Sequence, residues 1–170
     1  MRIAPMISGL FSPAFLVAQS YAVMTYNIRY ENGHDRKDRW ELRKEALANV
    51  VLEQKPQILG LQEVLLGQLD FLQERWPTYA HFGVGRDNGF ESGEYAPVFY
   101  DTATFELLEG RTVWLSATPD TPSKGWDATC NRIVTLVILR DRSSGDSLWV
   151  ANTHWDAEGS ALIEGSRSLR

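Results

Sequence analysis

The apolar positions of this chain first fall into a pattern at Ala22-Val-Met-Thr-Tyr-Asn-Ile-Arg-Tyr, which reads as a strand over 22–30 that turns polar at Asn27. A Gly- and charge-rich segment over 31–39 reads as a loop. From Asp38 to Gln54 the apolar residues Leu42, Ala46, Leu47, Val50 and Val51 recur at helical spacing, and Pro56 stops that helix. Gln57 to Glu63 is a short apolar run that ends in a carboxylate. Leu65, Leu66, Leu69 and Leu72 mark a second amphipathic helix, closed by Trp76-Pro77. This strand–helix–strand–helix order predicts a right-handed βαβ unit with parallel strands. Beyond it the period changes. Short β-rich runs at 79–84, 95–100, 104–115, 131–140 and 147–153 are divided by Gly, Pro, Asp and Ser clusters, and Asp141 to Asp146 reads as a hairpin turn. Glu158 to Arg170 has the look of another helix, with Ala161, Leu162 and Leu169 apolar. The expected fold class is α/β: a layered α/β sandwich with mixed β-sheets.

Composition narrows what such a fold can do. A chain of 170 residues suits one domain with a sizeable core. Its net charge of −5, without any run of Lys and Arg, lacks the basic footprint that holds long nucleic acid. A short oligonucleotide or a small phosphoester fits better than duplex DNA. The single cysteine, Cys130, rules out an intramolecular disulfide and a thiolate metal cluster. Residues 1–22 stand apart: Arg2 is their only charge, Ile3 to Ala18 is mostly apolar, and Ser20-Tyr21-Ala22 puts small residues where a signal peptidase inspects them. Pro5 and Pro13 interrupt that stretch, so it makes a poor membrane span. The expected organisation is a leader over 1–22, with export to the periplasm or medium, and the body of the domain over 23–170. Without that leader function the protein would be cytoplasmic. No membrane insertion of the mature domain and no obligate protein partner are expected.

The candidate chemistry lies where strands stop, because the carboxyl ends of strands in an open α/β sheet form the ligand crevice. Asn27, Glu63 and His154 each sit at such an end. A carboxylate there can anchor magnesium, which is typically held by one or two carboxylates and several waters. The plainer reading of Glu63 is an acid capping the following helix, and that of Asn27 is a turn asparagine. His154 can act as acid, base or electrophilic stabiliser near neutral pH, or simply as a structural imidazole. Asp156 follows two residues later, on the same face if the strand continues. Arg132, at the start of the run Ile133 to Leu139, can fork a phosphate oxygen or pair with Asp127 or Glu94. Trp114, Trp126 and Trp155 lie near these loops, as stacking platforms or as half-buried packing. His34 and His81 have no comparable context and are assigned to a loop and a strand surface.

Taken in order, these segments resemble the endonuclease/exonuclease/phosphatase superfamily. The matching stretches are Val23-Met-Thr-Tyr-Asn-Ile-Arg-Tyr, Pro56-Gln-Ile-Leu-Gly-Leu-Gln-Glu-Val, Gly93-Glu-Tyr-Ala-Pro-Val-Phe-Tyr, Ser123-Lys-Gly-Trp-Asp-Ala and Ala151-Asn-Thr-His-Trp-Asp-Ala-Glu-Gly. The resemblance implies a divalent-metal phosphohydrolase using Mg2+ or Mn2+, of a superfamily that spans exonucleases, deadenylases, sphingomyelinases and inositol phosphatases. It implies Glu63 as metal ligand, Asn27 and His154 as catalytic residues at the scissile phosphate, and Arg132, Glu94, Tyr95 and Asp156 at the substrate. The implied substrate is a short nucleic acid, cut in the manner of a 3'-5' exonuclease, or a small or lipid-derived phosphoester. The superfamily's Gly-Asp-Phe-Asn-like and Ser-Asp-His motifs do not occur in these 170 residues, and Trp155 stands where many relatives have Leu. The chain is therefore expected to be the N-terminal part of the enzyme, weak or inactive by itself.

Overall fold

The computed structural model describes residues 19–155. Strand β1 (Val23–Asn27), helix α1 (Trp40–Gln54), strand β2 (Ile58–Gln62) and helix α2 (Leu66–Arg75) come first, followed by β3 (Tyr79–Phe82), β4 (Val98–Asp101), β5 (Phe105–Trp114), β6 (Ile133–Asp141) and β7 (Ser147–Thr153). A 3-10 turn, Arg36–Asp38, precedes α1. The first sheet runs β1-β2-β4-β3 and the second β5-β6-β7. β1 and β2 pair in parallel, as the βαβ order predicts, and every other pair is antiparallel. The α/β sandwich with mixed sheets is thus the architecture observed.

Burial explains why these sequences make these layers. β2 (Ile-Leu-Gly-Leu-Gln) is closed on both faces, so it reads as a continuous apolar run rather than an alternation. Leu59 and Leu61 pack with Phe99 against Leu47, Val51, Leu72 and Trp76 on the helix side. Ile58, with Val98 and Tyr100, faces Phe105, Val137 and Leu139 of the second sheet. β6 instead alternates, burying Ile133, Thr135, Val137, Leu139 and Asp141. At about 1.5–3 kcal/mol per fully buried large apolar side chain, the helix-side cluster is the larger source of stability.

Two expectations need correcting. Leu42 and Val50, read as core positions of α1, are 60% and 39% exposed, and Ala46 is exposed with them. The buried row is Trp40, Leu47, Ala48 and Val51, about one residue step around the helix. Both rows satisfy helical spacing, and only the position of the sheet chooses between them. His81 is half-buried rather than on an open strand surface: its Nδ1 lies 2.7 Å from Gln73 Oε1 and its ring 5.0 Å from Phe99, and burial lowers its pKa. Helix α1 ends on Lys55 in the left-handed region (φ 47°), with its N–H returned to Val51 O at 2.8 Å.

The β6–β7 turn is organised by Asp141. Its carboxylate accepts bonds from Ser143 Oγ and N (2.6 Å each), Ser144 N (2.8 Å) and the Tyr21 hydroxyl (2.9 Å). These donors, the Ser143 hydroxyl foremost, hold its pKa well below the usual carboxylate range. A depressed folded-state pKa stabilises the fold above the unfolded value of about 3.9, and that contribution is lost as pH falls toward the folded pKa. The urea midpoint is therefore expected to drop as pH is lowered below about 4, with Asp141→Asn flattening that part of the profile. An unchanged slope in the variant would assign the acid sensitivity to Asp35 and Glu106, whose pKa values are lowered by hydrogen bonds from Arg29 and Arg140.

Candidate active site

β1 and β2 end side by side, Asn27 opposite Gln62. Just past each end a non-glycine residue turns into the left-handed region: Arg29 at φ 56° and Glu63 at φ 60°. That conformation costs about 1–2 kcal/mol for an L-residue, and it persists where surrounding contacts over-determine it. Those contacts are present. Asn27 Oδ1 accepts the Arg29 N–H at 2.9 Å, and Asn27 Nδ2 donates to Glu63 Oε1 at 2.8 Å. Since the amide oxygen is committed to a backbone N–H, its NH2 must face the carboxylate. Asn27 is both the turn residue and a holder of Glu63, so the two readings of it coincide. Glu63 Oε2 accepts the Tyr30 N–H at 3.3 Å.

Glu63 is not the cap of α2. That work falls to the fully buried Gln68, whose Oε1 accepts the N–H groups of Leu65 (3.1 Å) and Glu31 (3.2 Å) while its Nε2 donates to Arg29 O (3.1 Å). The carboxylate of Glu63 is left facing the strand-end cleft, with its side chain 21% exposed.

His154 arrives from the second sheet. Asn152, buried at 6% exposure, donates to Leu61 O (2.7 Å) and Pro97 O (2.9 Å) and accepts from Gln62 Nε2 (2.7 Å). Gly60 makes room for it: a Cβ there would stand 2.8 Å from Asn152 Oδ1. This lock between sheets fixes β7 against β2, and two residues on it brings His154 Nε2 to 3.8 Å from Glu63 Oε1. On the other side of the imidazole, Nδ1 is 3.9 Å from Glu94 Oε2 and is buried without a hydrogen-bond partner.

Glu94 is delivered by the β3–β4 loop. The neighbouring Tyr95 bridges to Val64, with Tyr95 N–H to Val64 O at 2.7 Å, so the residue after Glu63 and the residue after Glu94 are paired. Arg86 forks onto Glu94 at 2.9 and 3.0 Å. A small cavity beside them is lined by Arg86, Glu94, Asn131, Arg132 and His154.

Among the residues expected from sequence, the structure brings Asn27, Glu63, Glu94, Arg132 and His154 to one edge. Tyr95 also reaches it; the residue is 4% exposed and its hydroxyl donates to Phe90 O at 2.9 Å. Glu94, one of the two acids weighed from sequence as a partner of Arg132, carries the Arg86 fork. Trp114 is core: 5% exposed, with Nε1 donating to Arg86 O at 2.7 Å. Trp126 and Trp155 are 75% and 66% exposed. Asp156, the helix expected over 158–170, and residues 1–18 of the leader expected over 1–22 lie outside the described residues. Sequence reasoning missed Arg86 and Asn131, and treated Gln62 and Asn152 only as parts of motifs. A glycine facing a buried amide across two sheets leaves no local signal.

The donor set bears on a metal. Among the described residues no three Asp, Glu, His or Cys groups converge on one point. Glu63, with two oxygens bonded only to neutral donors and the imidazole of His154 nearby, fits a hard cation that keeps most of its waters. It does not fit the closed N/S cage of a structural zinc.

Two sheets and two helices that gather an acid, an amide and an imidazole at one strand-end edge define an α/β-sandwich protein with a polar cleft of the kind used for hydrolytic chemistry. Residues 24–154 match the Endonuclease/Exonuclease/phosphatase family, and the chain belongs to it. Among solved structures it is similar to an endonuclease/exonuclease/phosphatase from Bacteroides vulgatus, at 39% identity and a TM-score of 0.80 over 85% of this chain and 56% of that one. It is also similar to a mannosyl-6-phosphatase from Bacteroides thetaiotaomicron, at 37% identity and a TM-score of 0.81 over 88% of this chain and 60% of that one. A curated relative, the CCR4-Not complex 3'-5'-exoribonuclease subunit Ccr4 of Emericella nidulans, is 29% identical over 139 residues, which is 69% of this chain and 20% of that protein. The chain thus spans little more than half the length of these two solved relatives. No helix among the described residues is long and apolar enough to cross a membrane.

Proposed function

We propose that the protein is a divalent-metal-dependent phosphoester hydrolase whose substrate is a small phosphoester, with a sugar phosphate the best fit. The observation that carries this reading is the meeting of Glu63 and His154 at 3.8 Å, from two different sheets, at the carboxyl ends of β2 and β7. Glu63 holds the cation, and Asn27 Nδ2 holds Glu63. When bound, Mg2+ or Mn2+ neutralises charge on the phosphoryl oxygens and acidifies a water. Arg132 and Asn131 line the adjoining cavity and steady the phosphoryl group, while His154 holds or donates a proton near the leaving oxygen. The net charge of −5 and the likeness to a mannosyl-6-phosphatase favour a small monoester. A leader that ends ahead of Tyr21, whose hydroxyl bonds Asp141, would take the enzyme outside the cytoplasm. A second reading, a 3'-5' exonuclease, is favoured by the likeness to Ccr4 alone.

The test is phosphate release by the purified protein from mannose 6-phosphate, bis(p-nitrophenyl) phosphate and short RNA, with Mg2+ or Mn2+ and after EDTA treatment. Monoester hydrolysis that drops by about a hundredfold or more on metal removal is expected. Hydrolysis untouched by EDTA would sink the metal assignment, and a preference for RNA would move the substrate to the second reading.

A further inference from the structure

Two carboxylates flank His154, Glu63 on its Nε2 side at 3.8 Å and Glu94 on its Nδ1 side at 3.9 Å. The Val64–Tyr95 bridge sets their backbones side by side. Two acids placed so closely on one cleft are the usual makings of a divalent-cation site with two anchors. Their surroundings nevertheless differ. Glu63 receives neutral donors, the Asn27 amide and the Tyr30 N–H. Both oxygens of Glu94 are taken by the guanidinium of Arg86, one N–H on each, and the two side chains are only 15% and 17% exposed. A bidentate fork at that burial is far stronger and more directional than a surface ion pair.

Arg86 is itself rooted at several points. Its N–H bonds Glu94 O at 3.2 Å, and its carbonyl accepts both Trp114 Nε1 at 2.7 Å and Asn131 Nδ2 at 3.1 Å. The loop closes tightly around the pair: Gly93 has φ +85°, and a Cβ there would stand 2.5 Å from Asp87 Oδ2. This framework serves one geometric end. It keeps Glu94 neutralised and drawn toward Arg86, leaving His154 Nδ1 beyond hydrogen-bond reach of it.

We propose that Arg86 is a positioning residue that withholds Glu94 from the cation, so that of these two carboxylates only Glu63 anchors it. The inference rests on the reading of Glu63 as the cation anchor. Without Arg86, Glu94 becomes a second free carboxylate facing the same cleft, and added ligand charge tightens divalent-cation binding.

Titration of the protein with MnCl2, followed by calorimetry and by the electron paramagnetic resonance of free Mn2+, tests this without reference to turnover. Arg86→Met is expected to bind Mn2+ about tenfold more tightly or to take up an additional equivalent, and Arg86→Met with Glu94→Gln to return to the wild-type isotherm. Glu94→Gln alone, which preserves shape and one acceptor for Arg86, is expected to stay within about twofold of wild type, because Glu94 is not a ligand. This last variant keeps the test open should Arg86→Met fail to fold. Loss of Mn2+ binding in Glu94→Gln, or wild-type binding in a folded Arg86→Met, overturns the role of Arg86. If Glu63→Gln abolishes Mn2+ binding in that same series, the anchor reading stands by itself; if Mn2+ binding survives Glu63→Gln, both readings fall.

Discussion

Glu63→Gln is expected to abolish Mn2+ binding and to lower phosphoester hydrolysis by about a thousandfold or more, with little change in the unfolding midpoint. The rate loss follows from the several kcal/mol of transition-state charge stabilisation that a bound cation supplies, each 1.36 kcal/mol being about tenfold in rate. The small effect on stability follows from the local geometry. Glutamine keeps an oxygen to accept the Asn27 Nδ2 bond now made at 2.8 Å, and it leaves the left-handed backbone of residue 63 as it is. Gln68, not Glu63, satisfies the first turn of α2, so the helix loses no cap. Metal titration, hydrolysis and urea denaturation of the same sample check this. A variant that unfolds early while retaining specific activity would make Glu63 a structural residue.

Asn152→Leu should be the most damaging single change to the fold away from the apolar clusters, destabilising it by roughly 3 kcal/mol or more. Leucine branches at the same carbon as asparagine but removes three hydrogen bonds at once, stripping Leu61 O and Pro97 O of this donor and Gln62 Nε2 of its shortest acceptor contact. Each group left unsatisfied in a buried place costs about 1–3 kcal/mol. A bulkier branch would also press on Gly60, where a Cβ already has no room. Because Asn152 ties β7 to β2, the His154–Glu63 approach should loosen as well, so activity should fall even under conditions where the variant is fully folded. Urea denaturation gives the stability change directly. A loss below about 1 kcal/mol would mean that the packing of Val137, Leu139 and their neighbours, rather than the amide, sets the approach of the two sheets.

Much of this was legible without coordinates. The period of apolar residues separates two helices from seven strands because a strand buried on both faces, such as Ile58–Gln62, and a strand buried on one, such as Ile133–Asp141, leave different patterns. Asn27, Glu63 and His154 stand out because a polar residue that terminates an apolar run has a definite location in a layered sheet. The same reasoning misplaced Leu42 and Val50, since two rows of a helix satisfy one spacing. It also did not foresee Arg86 as a partner of Glu94: Arg86 lies eight residues earlier, across a loop whose closure depends on Gly89 and Gly93 at positive φ.

Local order therefore carried the elements and the residues at the strand ends, which depend on neighbours a few positions away, and the strand–helix–strand order carried the parallel pairing of β1 with β2. Tertiary structure alone decided what those residues do to one another. Gln62 meets Asn152 across 90 positions of chain, and Glu63 meets His154 through the same crossing of sheets. Hydrogen-bond geometry and burial, which allot one carboxylate to a guanidinium and leave the other facing the cleft, arise only when distant segments are packed together, and no periodicity in the chain encodes them.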